Sequence, residues 1–196
     1  MKRYFWIALI FVAASPAAFA DNYVLAGLGR FTLPQNNAHA DNAAGTSASF
    51  TVGRAISSNF DVEVGYTAFM NSEFTAPGVY TIPASGSTPA QVRSTYNYIV
   101  SGHALAFSTI GHVRMCDSCG ASLIGKLGIT DTALSVATSP YFAPPIPLDS
   151  RKLGLAGGVG FQFETRAAVF RLMLNESDAG SPYRIKNVEF SLGSKF

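Results

Sequence analysis

The residues of this chain that could do chemistry are few: two cysteines, three histidines and a thin scatter of charges. Cys116 and Cys119 stand in the run Cys-Asp-Ser-Cys. That spacing serves thiol exchange, half of a zinc site, or a small disulfide. Thiol exchange is usually housed in a βαβ setting, which the flanking sequence does not provide. A structural zinc needs four ligands, and even with His112 the run falls one short. A disulfide pinning a tight turn is the favoured reading in an oxidising compartment, ahead of a metal site and of catalysis. The histidines, His39, His103 and His112, are far apart in sequence. A base for acyl transfer needs a serine and an acid within reach. Glu63, Lys126, Arg171 and Glu189 are isolated charges in otherwise apolar or small-residue surroundings.

What must position these residues is a set of alternating segments. The run "NFDVEVGYTAF", residues 59–69, places Phe60, Val62, Val64, Tyr66 and Ala68 on one side. Asp61, Glu63, Gly65, Thr67 and Phe69 fall on the other, because successive side chains of a strand alternate faces. No segment after the N-terminal run has a helical period. The same alternation predicts eight strands, over 23–32, 47–56, 60–69, 95–110, 121–134, 152–163, 167–176 and 184–196. In the first of these, Tyr23, Leu25, Gly27, Gly29 and Phe31 share a face. Two of the links, 57–59 and 164–166, are tight, and 111–120 is somewhat longer. Between them come the links 33–46, 70–94, 135–151 and 177–183, rich in Pro, Ser, Thr, Asn and Gly, which read as loops.

The N-terminus sets the compartment. Lys2 and Arg3 precede an apolar run over residues 4–14, followed by Ala18-Phe19-Ala20. This order of a positive, an apolar and a small-residue region predicts a secretory signal peptide over residues 1–20. The run is too short for a membrane-spanning helix, which needs about 20 apolar residues. Residues 21–196 then form one domain. Without Lys2 and Arg3 the formal charge falls from +2 to zero, so no basic surface points to nucleic acid. Charged residues make up 13% of the chain, against about 25% in ordinary soluble domains.

Such a composition suits a surface facing lipid. Most of the predicted strands reach the roughly 9–11 residues a tilted transmembrane strand requires. In lipid every backbone N–H and C=O must be paired within the protein, so a sheet has to close on itself. Alternating short and long links match a barrel with short periplasmic turns and longer extracellular loops. The fold class expected is all-β: an eight-stranded antiparallel up-and-down transmembrane β-barrel. With the apolar faces toward lipid, Glu63, Lys126, Arg171 and Glu189 point inward, where lone charges are costly and a paired network is expected. Arg54 falls on the lipid face of the second strand, close enough to a turn to reach the interface.

Several runs carry a more specific resemblance. "SFTVGRAISSNFDVEVGYTAF" (49–69), "SLIGKLGI" (122–129), "GGVGFQF" (157–163) and the terminal "VEFSLGSKF" resemble segments of the OmpA-like/OmpX-like eight-stranded outer-membrane β-barrel family. The resemblance implies a bacterial outer-membrane protein with a structural or surface-interaction role. Its partners would be outer-membrane lipids and lipopolysaccharide, the barrel-assembly machinery, and an extracellular ligand met through the loops. It implies no cofactor, and a narrow OmpW-like pore is the alternative. Some barrels of this size modify lipid A, but "VSGHAL" around His103 does not resemble the His-x-Ser motif of the deacylases. The chain ends on its last strand, so no periplasmic peptidoglycan-binding domain is expected. The resemblance also makes Val188, Phe190, Leu192 and Phe196 an assembly signal, with Ser194 at a position often aromatic. Deleting Phe196 is expected to impair assembly in cells more than refolding in detergent. Equal losses in the two assays would reduce Phe196 to a packing residue.

Overall fold

A computed structural model of the chain describes residues 22–33, 43–82, 90–116, 119–139, 150–180 and 183–196. The expected signal peptide and His39 lie outside these residues. Eight strands appear in order: β1 (Asn22–Leu33), β2 (Ala43–Ala55), β3 (Phe60–Ile82), β4 (Ala90–Arg114), β5 (Ala121–Ser139), β6 (Ser150–Glu164), β7 (Ala168–Gly180) and β8 (Tyr183–Lys195). Each pairs antiparallel with the next, and β8 pairs with β1 from Tyr23↔Lys195 to Thr32↔Lys186, so the sheet is a closed barrel. The seam is fastened at its base by a reciprocal pair of backbone bonds. Phe196 N donates to Asn22 O at 2.9 Å and Asn22 N to Phe196 O at 3.2 Å. Closure removes the unpaired edges that an open sheet exposes.

Both strand termini at the seam and the three short connections, 56–59, 115–120 and 165–167, lie at one end of the barrel. Each short connection has its own local bonds. Ile56 N donates to Phe60 O at 2.9 Å, Met115 N to Ala121 O at 3.0 Å, and Thr165 N to Ala168 O at 2.8 Å. Gly120 has φ +68°, a left-handed conformation that suits glycine, and a Cβ there would collide with Glu164 O.

The outer surface is apolar in a way no aqueous protein tolerates. Leu28, Leu127, Leu153 and Leu155 are each 69% exposed, and Phe50, Phe60, Phe107, Phe161, Val188, Phe190 and Leu192 are exposed around them. A contiguous apolar band of this kind is the lipid-facing surface of a transmembrane barrel.

The expected strand order and number hold, but two expectations are corrected. The first concerns the links: 177–183 is mostly strand, paired from Ser177↔Ile185 to Gly180↔Tyr183, and so is 70–94. Most of it is paired, with β3 and β4 running together from Ser72↔Val100 to Ile82↔Ala90. Pairing of β2 with β3 ends at Ser47↔Phe69, and the β3–β4 register shifts between Phe69 and Ser72. There the Ser72 hydroxyl donates to Ala44 O at 2.5 Å. Above this point β3 pairs, among the described residues, with β4 alone, so Pro77, which has no N–H, sits on a sheet edge where proline is tolerated. Val79, Tyr80, Thr81 and Ile82 favour strand, and two chains leaving the wall together satisfy one another's backbone.

The second correction concerns faces. The rule that apolar sides meet lipid fails for β1, where Tyr23, Leu25, Phe31 and Leu33 are buried and Leu28 is exposed. Phe69, Val100, Leu134 and Ile185 are buried as well. An eight-stranded interior is only wide enough for side chains. With no bulk water to favour polar groups, much of it is filled by apolar ones.

Candidate functional site

The lumen holds a charged network near the end with the short turns. β3 supplies Asp61 and Glu63, two residues apart and therefore on one face. Glu63 is 1% exposed and Arg171, on β7 across the lumen, is 4% exposed. Arg171 Nη1 donates to Glu63 Oε1 at 2.5 Å, and its Nε donates to Gln162 Oε1 at 2.6 Å. Lys126 Nζ stands 3.8 Å from the other Glu63 oxygen. One buried carboxylate is thus flanked by two cations.

Tyr23 ties the acids together. Its hydroxyl lies 2.6 Å from Glu63 Oε1 and 2.9 Å from Asp61 Oδ2, with one proton to donate between them. Arg171 Nη2 donates to the same hydroxyl at 3.3 Å, and the guanidinium carbon lies 5.5 Å from the Tyr23 ring centroid. The register explains how a residue of β1 reaches β3. Gly53 of β2 pairs with Tyr23 on one side and Glu63 on the other. A Cβ on Gly53 would overlap the Tyr23 ring. The glycine therefore leaves the space through which the ring crosses to the acids.

The network continues toward the mouth. His112 Nε2 and Asp61 Oδ2 are 2.8 Å apart. Gln162 donates to Glu164, which is also paired with Lys195. Around these residues the barrel opens in a concavity of about 710 Å³, also lined by Arg114, Arg166, Cys116 and Cys119. The two cysteines are joined, with Cα atoms 5.6 Å apart.

Of the four charges expected inside, the structure brings together Glu63, Lys126 and Arg171. Glu189 is inward but apart from them, held by hydroxyls and an amide. Its Oε1 accepts from Ser49 at 2.7 Å and Ser191 at 2.8 Å, and its Oε2 accepts from Asn187 at 3.3 Å. Val188, Phe190, Leu192 and Phe196 are all exposed on the outer side. Sequence reasoning missed Tyr23, Asp61, His112 and Gln162 as members of the network. Asp61 shares the phase of Glu63 and could have been added from that signal. Tyr23 had none, since both faces of β1 are apolar.

Above the network the space narrows. A cavity of about 60 Å³ lies among Lys126, Thr130, Asn175, Glu189 and their neighbours, room for only a handful of waters. Toward the end away from the short turns Phe31, Leu33, Phe69, Val100, Leu134 and Ile185 are buried. Phe31 and Phe69 meet edge to face with centroids 5.0 Å apart. His103 faces outward instead, stacked on Tyr66 at 5.9 Å. Among the described residues no serine hydroxyl hydrogen-bonds to it.

Replacing Glu63 with Ala would leave Arg171 and Lys126 without their shared carboxylate. The expected cost is about 3–5 kcal/mol, read as a lower urea midpoint, and an unchanged midpoint would count against a stabilising network. Gly53→Leu changes no charge but pushes into the Tyr23 ring. Its expected cost is about 1–3 kcal/mol, and a neutral result in the same assay would show that the ring has other room.

No protein-family model and no curated protein matches the chain. Solved structures share its architecture. Neisserial surface protein A superposes with a TM-score of 0.62 at 14% identity, covering 91% of this chain and 100% of that one. The attachment invasion locus protein Ail of Yersinia pestis gives 0.55 at 13% identity, with the same coverage. A second Ail structure, in complex with the heparin analogue sucrose octasulfate, gives 0.52 at 11% identity, again with that coverage. At these identities the likeness concerns the fold. The closed antiparallel sheet, its apolar band and these neighbours together make the chain an eight-stranded β-barrel of the outer-membrane type.

Proposed function

We propose that this chain is a small integral protein of the bacterial outer membrane, in which an occluded barrel serves as an anchor and the extracellular side does the interacting. The observation that carries the reading is the filled lumen. The Glu63–Arg171–Lys126 network blocks the lower part, and the buried aromatic and aliphatic side chains block the upper part. A wall this narrow, packed in this way, supports anchoring better than conduction.

The interacting surface would be the extracellular rim. β3 and β4 stand above the neighbouring β2 as a paired hairpin, and β5 accompanies β4 as far as Asn97↔Ser139. Rigid elements carrying loops are where binding concentrates. Adhesion or contact with other envelope components fits this arrangement. Lipopolysaccharide and the other lipids of the membrane would surround the band, and the assembly machinery would handle the last strand.

The alternative, a narrow pore, would require the ion cluster and the plug above it to move aside together. Planar-bilayer recording of the refolded protein separates the two. A silent bilayer is expected across the physiological voltage range. Discrete conductance steps that persist when Phe31 and Phe69 are left intact would overturn the occluded-anchor reading.

A further inference from the structure

The concavity at the short-turn end holds a covalent bond that the turn does not need. Cys116 and Cys119 are joined across a sequence separation of 3, so the bridge closes a very small loop. Loop closure is where a disulfide draws much of its stabilising effect, and the effect shrinks with the loop. This loop is also held without it. Met115 N donates to Ala121 O at 3.0 Å, directly beyond the last β4–β5 pair, Arg114↔Ser122. Glu164 N donates to Gly120 O at 2.9 Å, which ties the far side of the turn to the end of β6. The backbone fixes the turn, and the sulfurs add little to that.

The sulfurs are placed where a small molecule could reach them. Cys119 is exposed and Cys116 half-buried. Both border the concavity of about 710 Å³, a size typical of small-molecule sites. Its charged and basic lining is Asp61, Glu164, His112, Arg114, Arg166 and Lys195. Both acids are already engaged: Asp61 meets His112 and Tyr23, and Glu164 meets Lys195 and Gln162. Arg114 and Arg166 come in addition to these pairs. With His112 neutral the described lining carries three positive side chains against two negative ones. Asp117, between the cysteines, lies outside the described residues. Positive surroundings favour thiolate over thiol, and thiolate is the form that exchanges.

We propose that Cys116–Cys119 is an exchangeable disulfide and that the concavity beside it admits a small anionic thiol, of the kind a carboxylate-bearing cysteine peptide presents. The incoming thiolate attacks Cys119 Sγ, the more exposed sulfur. The Sγ–Sγ bond breaks, its electron pair leaves on Cys116 Sγ, and a mixed disulfide remains at Cys119. Arg114, two residues before Cys116 and lining the same concavity, is the cation nearest in sequence to that new charge. A second thiolate then attacks the mixed disulfide at the sulfur of the first thiol, releasing the oxidised thiol and the Cys119 thiolate. The two protons given up by the thiols protonate the two cysteines. Two small thiols are thus oxidised for each protein disulfide reduced, with no further reactant. This exchange goes beyond the anchoring role and does not depend on it.

The test is the rate at which the disulfide opens in the refolded protein in zwitterionic detergent, read by alkylation and mass spectrometry. The probes are mercaptoethanesulfonate, mercaptoethanol and cysteamine, which share one short carbon frame and are anionic, neutral and cationic. Rates are compared per thiolate, because the thiols differ in acidity. The anionic thiol is expected to react fastest and the cationic one slowest, an order set by all the charges together, Asp117 included. Arg114→Gln and Arg166→Gln should each slow the anionic thiol about two- to fivefold and leave mercaptoethanol unchanged. Roughly 1 M salt should erase the order, because screening then acts within about 3 Å. Equal rates for the three thiols, or a double arginine variant that reacts like the wild type, would overturn the proposal. The fold is followed separately, by heat-modifiable gel migration and the urea midpoint. Both are expected to be unchanged in the reduced protein and in Cys116→Ser with Cys119→Ser. Loss of the folded form on reduction would make the bridge a staple of the barrel and would also overturn the proposal.

Discussion

The rest of this structure depends on one requirement: no backbone N–H or C=O may face lipid unpaired. Eight antiparallel strands meet it by closing β8 onto β1, with Asn22 and Phe196 exchanging backbone bonds at the base of the seam. Closure with so few strands fixes a narrow bore. The bore in turn dictates what its lining can be. Inward side chains must fill it, and any charge among them must find a counter-charge or hydrogen-bond donors within a few ångströms.

The lining answers this with complementary sizes as well as charges. Gly53 lies between Tyr23 and Glu63 in the register, and the absent side chain lets the tyrosine cross toward β3. Gly45 stands in a similar relation to the Phe31 ring, which a Cβ there would crowd at 2.8 Å. The two acids of β3 are then bridged by one phenol, and one of them is neutralised from the far wall by Arg171 and from β5 by Lys126. The interior is less a conduit than a core turned inside out. Its ion cluster of Glu63, Arg171 and Lys126 lies near the short turns, beside apolar clusters that include Leu25, Val169, Ile110, Ile124 and Met173.

Much of this was legible in the sequence because a strand has a period of two, and a barrel wall with lipid on one side makes that period visible. Residues 60–69 show it best, and there the inward position of Glu63 follows directly from phase. The same logic failed on β1, where Tyr23, Leu25 and Phe31 are apolar but buried, and Leu28 is apolar and exposed. Hydrophobicity carries no facing information when both environments accept hydrocarbon. Residues 70–94 misled for a different reason. Proline, glycine and serine mark loops in a strand with two neighbours, but an edge ribbon above the wall tolerates them. Which inward charges would meet was not legible at all, because Glu63, Lys126, Arg171 and Glu189 share a facing but stand at levels set by register.

The unequal height of the wall has a further consequence. β3, β4 and β5 rise above their neighbours on one side, and in a ring of eight β4 stands opposite β8. Among the described residues the wall therefore has a tall side and a low one. Such a wall has a heading as well as a position in the membrane plane. Neighbours packed beside it would encounter two different flanks, so its orientation within a crowded membrane becomes a property that packing can set and read.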